Sequence, residues 1–460
     1  MNVLLIVPPV DYTYDIYPPL GLLNLASMIR DKHQVEILDC IAKKIKIKDA
    51  IKHVKQNIDV IGVSNNYTNN THNVISIAKQ IKKKFPRQIL ICGGTSATFD
   101  SEYLLNNCFD FVVRHEGEIT FRELISHLDK GYPNLNEIRG IWYNKNNKIY
   151  RNKDRPLIKN LDNLPLPSWD MIDEELYKDS YIGKQSMIET GRGCAFSCNY
   201  CVSSKMWKHT HRYKSPKRIA LEFKLAKERG ICLLLLYPDE NFTTHPKKVI
   251  DICKELIKQK NSIPWISGGR SDTLARNPNL AKYIKEAGCK IYATGYESNN
   301  NEILKKYNKK TSKELNKKAL SILKNNGLVS IGSIIVGAPN ETFKQLKDTI
   351  KFSLKLDFAS YSILRPYPGT IYWNEGFRNK THLLNGSLCL LHNHPFMIEL
   401  SQKIAVLLFY FRFKTLKRLF SKNKYEKYLA KKYYKLIYSI LLYTVWDFFK
   451  NAIKKQNYSY

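Results

Sequence analysis

Cys194, Cys198 and Cys201 sit in Glu189-Thr190-Gly191-Arg192-Gly193-Cys194-Ala195-Phe196-Ser197-Cys198-Asn199-Tyr200-Cys201, a C-x3-C-x2-C spacing with an aromatic before the last cysteine. Three thiolates on one short loop can hold three corners of a cubane iron–sulfur cluster and leave the fourth iron open to a small molecule. The competing chemistry is structural zinc, which is closed and tetrahedral and needs a fourth ligand. His209 and His211 lie just downstream as donors. Zinc sites usually draw on two separated ligand pairs, however, and the chain has no second C-x2-C or H-x3-5-H pair.

The elements that must position this loop alternate along the chain. Over residues 1–135, short apolar runs at Val3–Val7, Val35–Leu38, Val60–Ser64, Ile89–Cys92 and Phe109–Val113 read as strands. Helical patterns at Leu20–Arg30, Val74–Lys84 and Ile119–Leu128 separate them. That rhythm predicts an α/β, doubly wound (Rossmann-like) parallel sheet that takes ligands at the carboxyl ends of its strands. Residues 136–180 read as a linker, with a hairpin around Asn144 to Asn147 and the proline-rich Leu164-Pro165-Leu166-Pro167. Residues 181–375 carry six more strands: Ser186–Thr190, Cys232–Tyr237, Trp265–Gly268, Lys290–Gly295, Val329–Val336 and Phe358–Leu364. Six units predict a partial (β/α)6 barrel with its reactive groups at the strand ends, where the cysteine loop lies. Residues 376–460 turn helical, aromatic and basic.

With this context the cysteine loop resembles that of the radical S-adenosylmethionine enzymes. The resemblance extends to the later strand ends: Asp239-Glu240-Asn241-Phe242, Arg270, Gly295-Tyr296-Glu297-Ser298, and Gly332 to Thr342. It implies a 4Fe-4S cluster on Cys194, Cys198 and Cys201, with S-adenosylmethionine chelated to the open iron. Glu240 and Arg270 would then serve its amino acid portion, Ser298 the ribose, and Tyr200 with the Ile334 to Gly337 backbone the adenine, Gly332 and Gly337 letting the backbone approach closely.

The first domain offers Tyr17-Pro18-Pro19-Leu20-Gly21, Gly62-Val63-Ser64-Asn65-Asn66, Gly93-Gly94-Thr95-Ser96-Ala97-Thr98 and Arg114-His115-Glu116-Gly117-Glu118 at its strand ends. These resemble the cobalamin (B12)-binding domains of class B radical S-adenosylmethionine methyltransferases and of the anaerobic magnesium-protoporphyrin ester cyclases. The resemblance implies cobalamin contacts from Leu20, Gly21, Ser64, Asn65, Gly93, Gly94, Thr95, Thr98, Glu116 and Gly117. A generic nucleotide loop would look alike at several of these positions. There is no D-x-H-x-x-G, which implies cobalt without a histidine ligand, and His115 replaces the glycine common in the family. The tRNA methylthiotransferases also place a domain ahead of the barrel, but their C-x-N-x-x-D-S-E opening is missing.

The activity implied is methyl transfer. S-adenosylmethionine is cleaved to a 5′-deoxyadenosyl radical that abstracts hydrogen from an unactivated position, and methylcobalamin supplies the methyl group. Oxidative cyclisation or ring rearrangement is the alternative within the same family. The expected partners are a small-molecule or lipid substrate and a low-potential donor such as ferredoxin or flavodoxin.

Composition sets the remaining bounds. A chain of 460 residues with 43% hydrophobic residues supports more than one globular core. Its ten cysteines, scattered apart from the triplet, point to a reducing compartment, and the apolar first residues read as a strand, so a cytoplasmic enzyme is expected. The net charge of +33 is spread along nearly every segment, so it predicts solvated surface and not a nucleic-acid footprint. Residues 381–460 hold 14 Lys and Arg against three acids, among many aromatics. That region predicts a cap over the substrate pocket, or a peripheral contact with anionic lipid.

Overall fold

The computed structural model describes residues 1–10, 16–260, 263–377 and 389–438. Its first sheet is built from β1 (Asn2–Val7), β2 (Gln34–Asp39), β3 (Val60–Ser64), β4 (Ile89–Gly93), β5 (Phe111–Val113), β6 (Ile141–Lys145) and β7 (Lys148–Arg151), in the order β2-β1-β3-β4-β5-β6-β7. The first five strands are parallel, as their near-continuous apolar runs require when helices cover both faces. Alternation along β1 divides the core: Leu4 and Ile6 join Val63, Val74 and Ile81 on one face, while Val3 and Leu5 join Phe121, Leu124 and Ile125 on the other.

The hairpin assigned from sequence to the linker forms as expected, but it does not stand free. β6 pairs antiparallel with β5, and β7 with β6, so the hairpin extends the first sheet by two strands. Arg114 and Arg151 flank the Trp142 ring at 4.3 and 5.2 Å, which fixes the hairpin against the parallel strands by cation–π contact.

The second sheet contains β8 (Lys178–Asp179) and β9 (Gly183–Met187), then, beyond the short ribbon of β10 (Gly191–Gly193) and β11 (His211–Tyr213), the strands β12 (Leu233–Leu235), β13 (Trp265–Arg270), β14 (Cys289–Glu297), β15 (Val329–Val336) and β16 (Phe358–Ile363). Its order is β16-β15-β14-β13-β12-β9-β8, and the six strands from β9 to β16 run parallel in chain order. This is the partial (β/α)6 barrel. Local signals set its helices: Ser215 caps a helix with Pro216 at its first position, and Thr342 with Gln345 closes a capping box.

The first barrel strand ends earlier than the sequence reading placed it. Ile188 still donates to the Leu235 carbonyl at 3.2 Å, but Glu189 and Thr190 leave the sheet because Asp239, just past β12, accepts both the Thr190 amide (2.8 Å) and its hydroxyl. Among the described residues no helix is long and apolar enough to cross a membrane.

Candidate functional site: two cofactor platforms face to face

The cysteine loop runs from β10 to the short helix Ser203–Met206. Glu240 holds its start by accepting the Gly193 amide at 2.9 Å and the Trp207 indole N–H. Burial pushes the Glu240 carboxyl up to about 7. On the other flank Arg270 donates to Asp272 at 2.8 Å, lies 3.6 Å over the Phe196 ring and reaches Cys198 Sγ at 3.6 Å. Burial also raises the Cys194 and Cys201 thiols, so ligation there releases protons.

Tyr200 donates to Glu297 Oε1 at 3.1 Å, and Lys309 pairs with the same oxygen at 2.8 Å while reaching the Tyr200 hydroxyl at 3.1 Å. This buried trio ties the loop to the end of β14. Sequence reasoning missed it, because only the fold brings Lys309 back across a helix to Glu297. Trp207 was missed as well, and nothing in its local sequence marks it.

Other residues named from sequence are placed differently. The Ser298 hydroxyl is engaged with Thr349 Oγ1 (3.0 Å) and the Asn300 amide (3.2 Å). A Cβ on Gly332 would strike Leu356 at 2.2 Å, so that glycine admits a core side chain. Gly337 has φ +84°, and a Cβ there would meet Cys389 Sγ at 2.8 Å and Ile398 at 2.9 Å, both from the C-terminal region. Its amide is held by Glu341 at 2.7 Å.

Beside the residues that flank the cysteine loop, Arg192, Met206 and Trp207, lies a cleft of ≈ 450 Å³ lined from both domains. Leu20, Gly21, Ser64, Gly93, Gly94, Thr95, Glu116 and Gly117 line it from the first domain, and Met187, Glu189, Arg192, Trp207 and Pro238 from the barrel. Gly21 faces open space, and Gly94 (φ +112°) lets β4 turn against the Asn65 backbone. Two expected residues are absent from this lining. Asn65 is buried with its amide on Thr71 Oγ1 (3.1 Å), and the Thr98 hydroxyl donates to the Gly94 carbonyl (3.1 Å) and accepts the His115 amide (2.9 Å).

His115 adopts φ +58° and is held on both ring nitrogens, by the Met206 carbonyl at 2.8 Å and Asp154 at 3.2 Å. The residue that departs from the usual glycine therefore stitches the first domain to the cysteine-loop helix. Its hydrogen bond, with Arg114, holds the Asp154 carboxyl well below the usual carboxylate range.

A buried ion-pair network joins the two platforms. Arg192 donates to Glu116 (2.9 Å), Glu118 (2.6 Å) and Glu189 (2.9 Å), and Arg212 also pairs with Glu116 at 3.0 Å. Burial opposes the charge on Arg192, but the three carboxylates outweigh it and raise the guanidinium above its ordinary value. Glu116, expected to touch cobalamin, is held by Arg192, Arg212 and the Ile158 amide (2.7 Å). Glu118 Oε2 is buried without a partner on the cleft wall, free to accept an N–H from a bound group.

These residues fit the implied groups. Among the described residues, no three His, Cys, Asp or Glu side chains converge as the ligands of one ion would, whereas a cubane carries its irons at separate corners and asks for thiolates spread round a loop. The cleft combines small residues, an apolar floor from Leu5, Ile91 and Phe121, and an orphaned acceptor, which suits a large amide-fringed ring.

A doubly wound domain laid over a partial barrel with a three-cysteine loop defines a radical enzyme with a second cofactor domain. The comparisons agree. Residues 188–353 match the radical SAM superfamily and residues 9–125 the B12 binding domain. The chain is 34% identical to an uncharacterised methyltransferase of Pyrococcus horikoshii, over 82% of this chain and 84% of that one. It is 31% identical to the anaerobic magnesium-protoporphyrin IX monomethyl ester cyclase of Rubrivivax gelatinosus, over 65% of this chain and 55% of that one. The solved structure of the cobalamin-dependent S-adenosylmethionine radical enzyme OxsB, with aqua-cobalamin and S-adenosylmethionine bound, superposes with a TM-score of 0.67 at 23% identity, covering 83% of this chain and 55% of that one. The chain belongs to the cobalamin-binding radical S-adenosylmethionine enzymes, the family of these methyltransferases and cyclase-like proteins. Its cofactors are a 4Fe-4S cluster, S-adenosylmethionine and cobalamin.

Proposed function

We propose that the chain methylates an unactivated carbon of an organic substrate held between the cleft and the barrel mouth. The observation that carries this reading is the single cleft lined by Gly93 and Gly94 on one side and by Arg192 and Trp207, which flank the cysteine loop, on the other. When bound, the cofactors supply a 5′-deoxyadenosyl radical from S-adenosylmethionine and a transferable methyl group on cobalamin. The chain's own residues do the positioning. Cys194, Cys198 and Cys201 would hold the cluster, and Arg270, beside Cys198, would offer a cation to the carboxylate of S-adenosylmethionine. Glu240 and the Tyr200–Glu297–Lys309 trio fix the loop from two sides. Gly21, Ser64 and Gly93 to Thr95 form the bed for the corrin, with Glu118 as acceptor for one of its amides. Arg192 locks the two platforms together. The electron enters from a low-potential donor of the ferredoxin or flavodoxin type.

Similarity to the Pyrococcus methyltransferase supports methyl transfer, and similarity to the ester cyclase supports oxidative cyclisation as the second reading. Anoxic reconstitution with cobalamin, S-methyl-labelled S-adenosylmethionine and extracts of organic substrates separates them. Label recovered in a product bears out methyl transfer. Deoxyadenosine formed with a substrate that changes but never gains label overturns it in favour of cyclisation.

A further inference from the structure

The helix Pro395–Tyr410 is apolar on two opposite sides, and among the described residues only one of them is packed. On the packed side Ile398, Ala405 and Phe409 are buried against the barrel edge. Tyr410 donates to the Ala359 carbonyl at 2.6 Å and Gln402 to the Tyr361 carbonyl at 2.9 Å, both on β16. Arg412, just beyond the helix, lies 3.9 Å over the Phe409 ring and donates to the Leu356 carbonyl at 3.0 Å. The helix is therefore fixed in rotation.

The side turned outward carries Phe396, Leu400, Ile404, Leu407, Leu408 and Phe411, each 39–72% exposed. At about 100° per residue these six fall within an arc of roughly 120°. Phe413 and Phe420 follow, 80% and 84% exposed. Single exposed apolar residues are ordinary, but a continuous stripe marks a surface that is covered in use.

Charge identifies the cover. Residues 389–438 contain eleven Lys and Arg against two acids. Next to the helix's C-terminal end, Lys317, Lys324, Lys355 and Lys414 gather round one shallow hollow. A symmetric contact with a second copy would set these same lysines against each other, which disfavours self-association. An anionic lipid surface offers both an apolar boundary for the stripe and phosphates for the lysines. The helix is too short and too firmly docked to span a bilayer, so it would lie in the plane of the interface.

We propose that this face docks the enzyme on anionic membrane, with the stripe at the acyl boundary and the lysine hollow at the headgroups. Ile398, in the helix's first turn, lies against Gly337 at the carboxyl end of β15, so docking brings the barrel mouth beside the bilayer. The inference stands on this face alone and does not depend on which reaction the cofactors perform.

The test is flotation of the full chain with vesicles of phosphatidylcholine alone or mixed with phosphatidylglycerol. The chain should float with the mixed vesicles, less so with the neutral ones, and less as salt is raised. The combined substitution Leu400→Glu, Leu407→Glu and Leu408→Glu should cut flotation at least about tenfold. Uncoupled deoxyadenosine formation should persist, which shows that the variant is folded. Lys414→Glu with Lys355→Glu gives an independent variant, expected to weaken binding to mixed vesicles only. A chain that stays at the bottom with mixed vesicles, or a triple variant that floats like the parent, overturns the proposal. So does a parent that runs as a dimer and becomes a monomer in the triple variant without floating, since the second copy would then be the cover.

Discussion

The two sheets solve the same problem with opposite materials. Both are parallel through the strands that carry their functional loops, which lie at the carboxyl ends of those strands, yet the cysteine loop is held by charged side chains and the cleft is lined largely by small and apolar residues. Around the loop, Glu240, Arg270, Glu297 and Lys309 each fix one point by a directed hydrogen bond. In the cleft, Gly21 and Gly93 leave room and Gly94 lets β4 turn. The proposed ligands account for the contrast. A cluster with one open iron must be aimed to a fraction of an ångström, whereas a broad corrin needs area and shape.

Cys198→Ala attacks the first solution only and should have the largest effect. Deoxyadenosine formation disappears, while the corrinoid still copurifies and gives its ultraviolet–visible spectrum. Joint loss of both would mean that the platforms are not separable. Arg192→Met attacks the join, leaving Glu116, Glu118 and Glu189 buried without their cation. It should lower unfolding free energy by about 3–5 kcal/mol, measured by denaturant titration, and lower corrinoid and cluster retention together. Gly94→Val is the mirror of the cysteine substitution. At φ +112° its Cβ would meet Asn66 Oδ1 at 2.5 Å. Strain of about 1–3 kcal/mol should weaken cobalamin binding, read by spectral titration, and leave uncoupled cleavage of S-adenosylmethionine intact.

The last effect is a pH dependence confined to the barrel. Burial pushes the Asp239 carboxyl up to about 8, from an ordinary value of 3.8. The folded chain therefore keeps a proton that the unfolded chain releases between those values. The stability it contributes is fully present below 3.8 and is lost as pH rises through 8. Asp239→Asn should flatten that part of the Tm–pH curve without shifting the corrinoid spectrum.

The same contrast decides what the sequence reveals. Cys194, Cys198 and Cys201 were readable because their spacing is local and chemically specific, and most of the eleven parallel strands because each is an apolar run of its own, whereas β9, Gly183-Lys184-Gln185-Ser186-Met187, has little apolar signal and was placed too late in the chain. Glu116 was legible as a functional position but not in its role, since its partners Arg192 and Arg212 lie more than seventy residues away. Lys309 carried no signal at all, because a lysine in a lysine-rich chain becomes informative only when folding sets it on Glu297. The hairpin was legible as a hairpin. Its bond to β5 was not, because strand pairing across a helix leaves no periodicity to read.

That hairpin also determines where the protein can be cut. A fragment ending near residue 135 would retain β5 but lose β6 and β7, exposing a row of unpaired backbone groups along an apolar strand. Arg155, which donates to the Thr120 hydroxyl (2.8 Å) and pairs with Glu123, moves the natural seam still further along the chain. Anyone transplanting the corrin-binding half, or asking how it came to be joined to a barrel, should treat residues 1 to about 158 as the portable module.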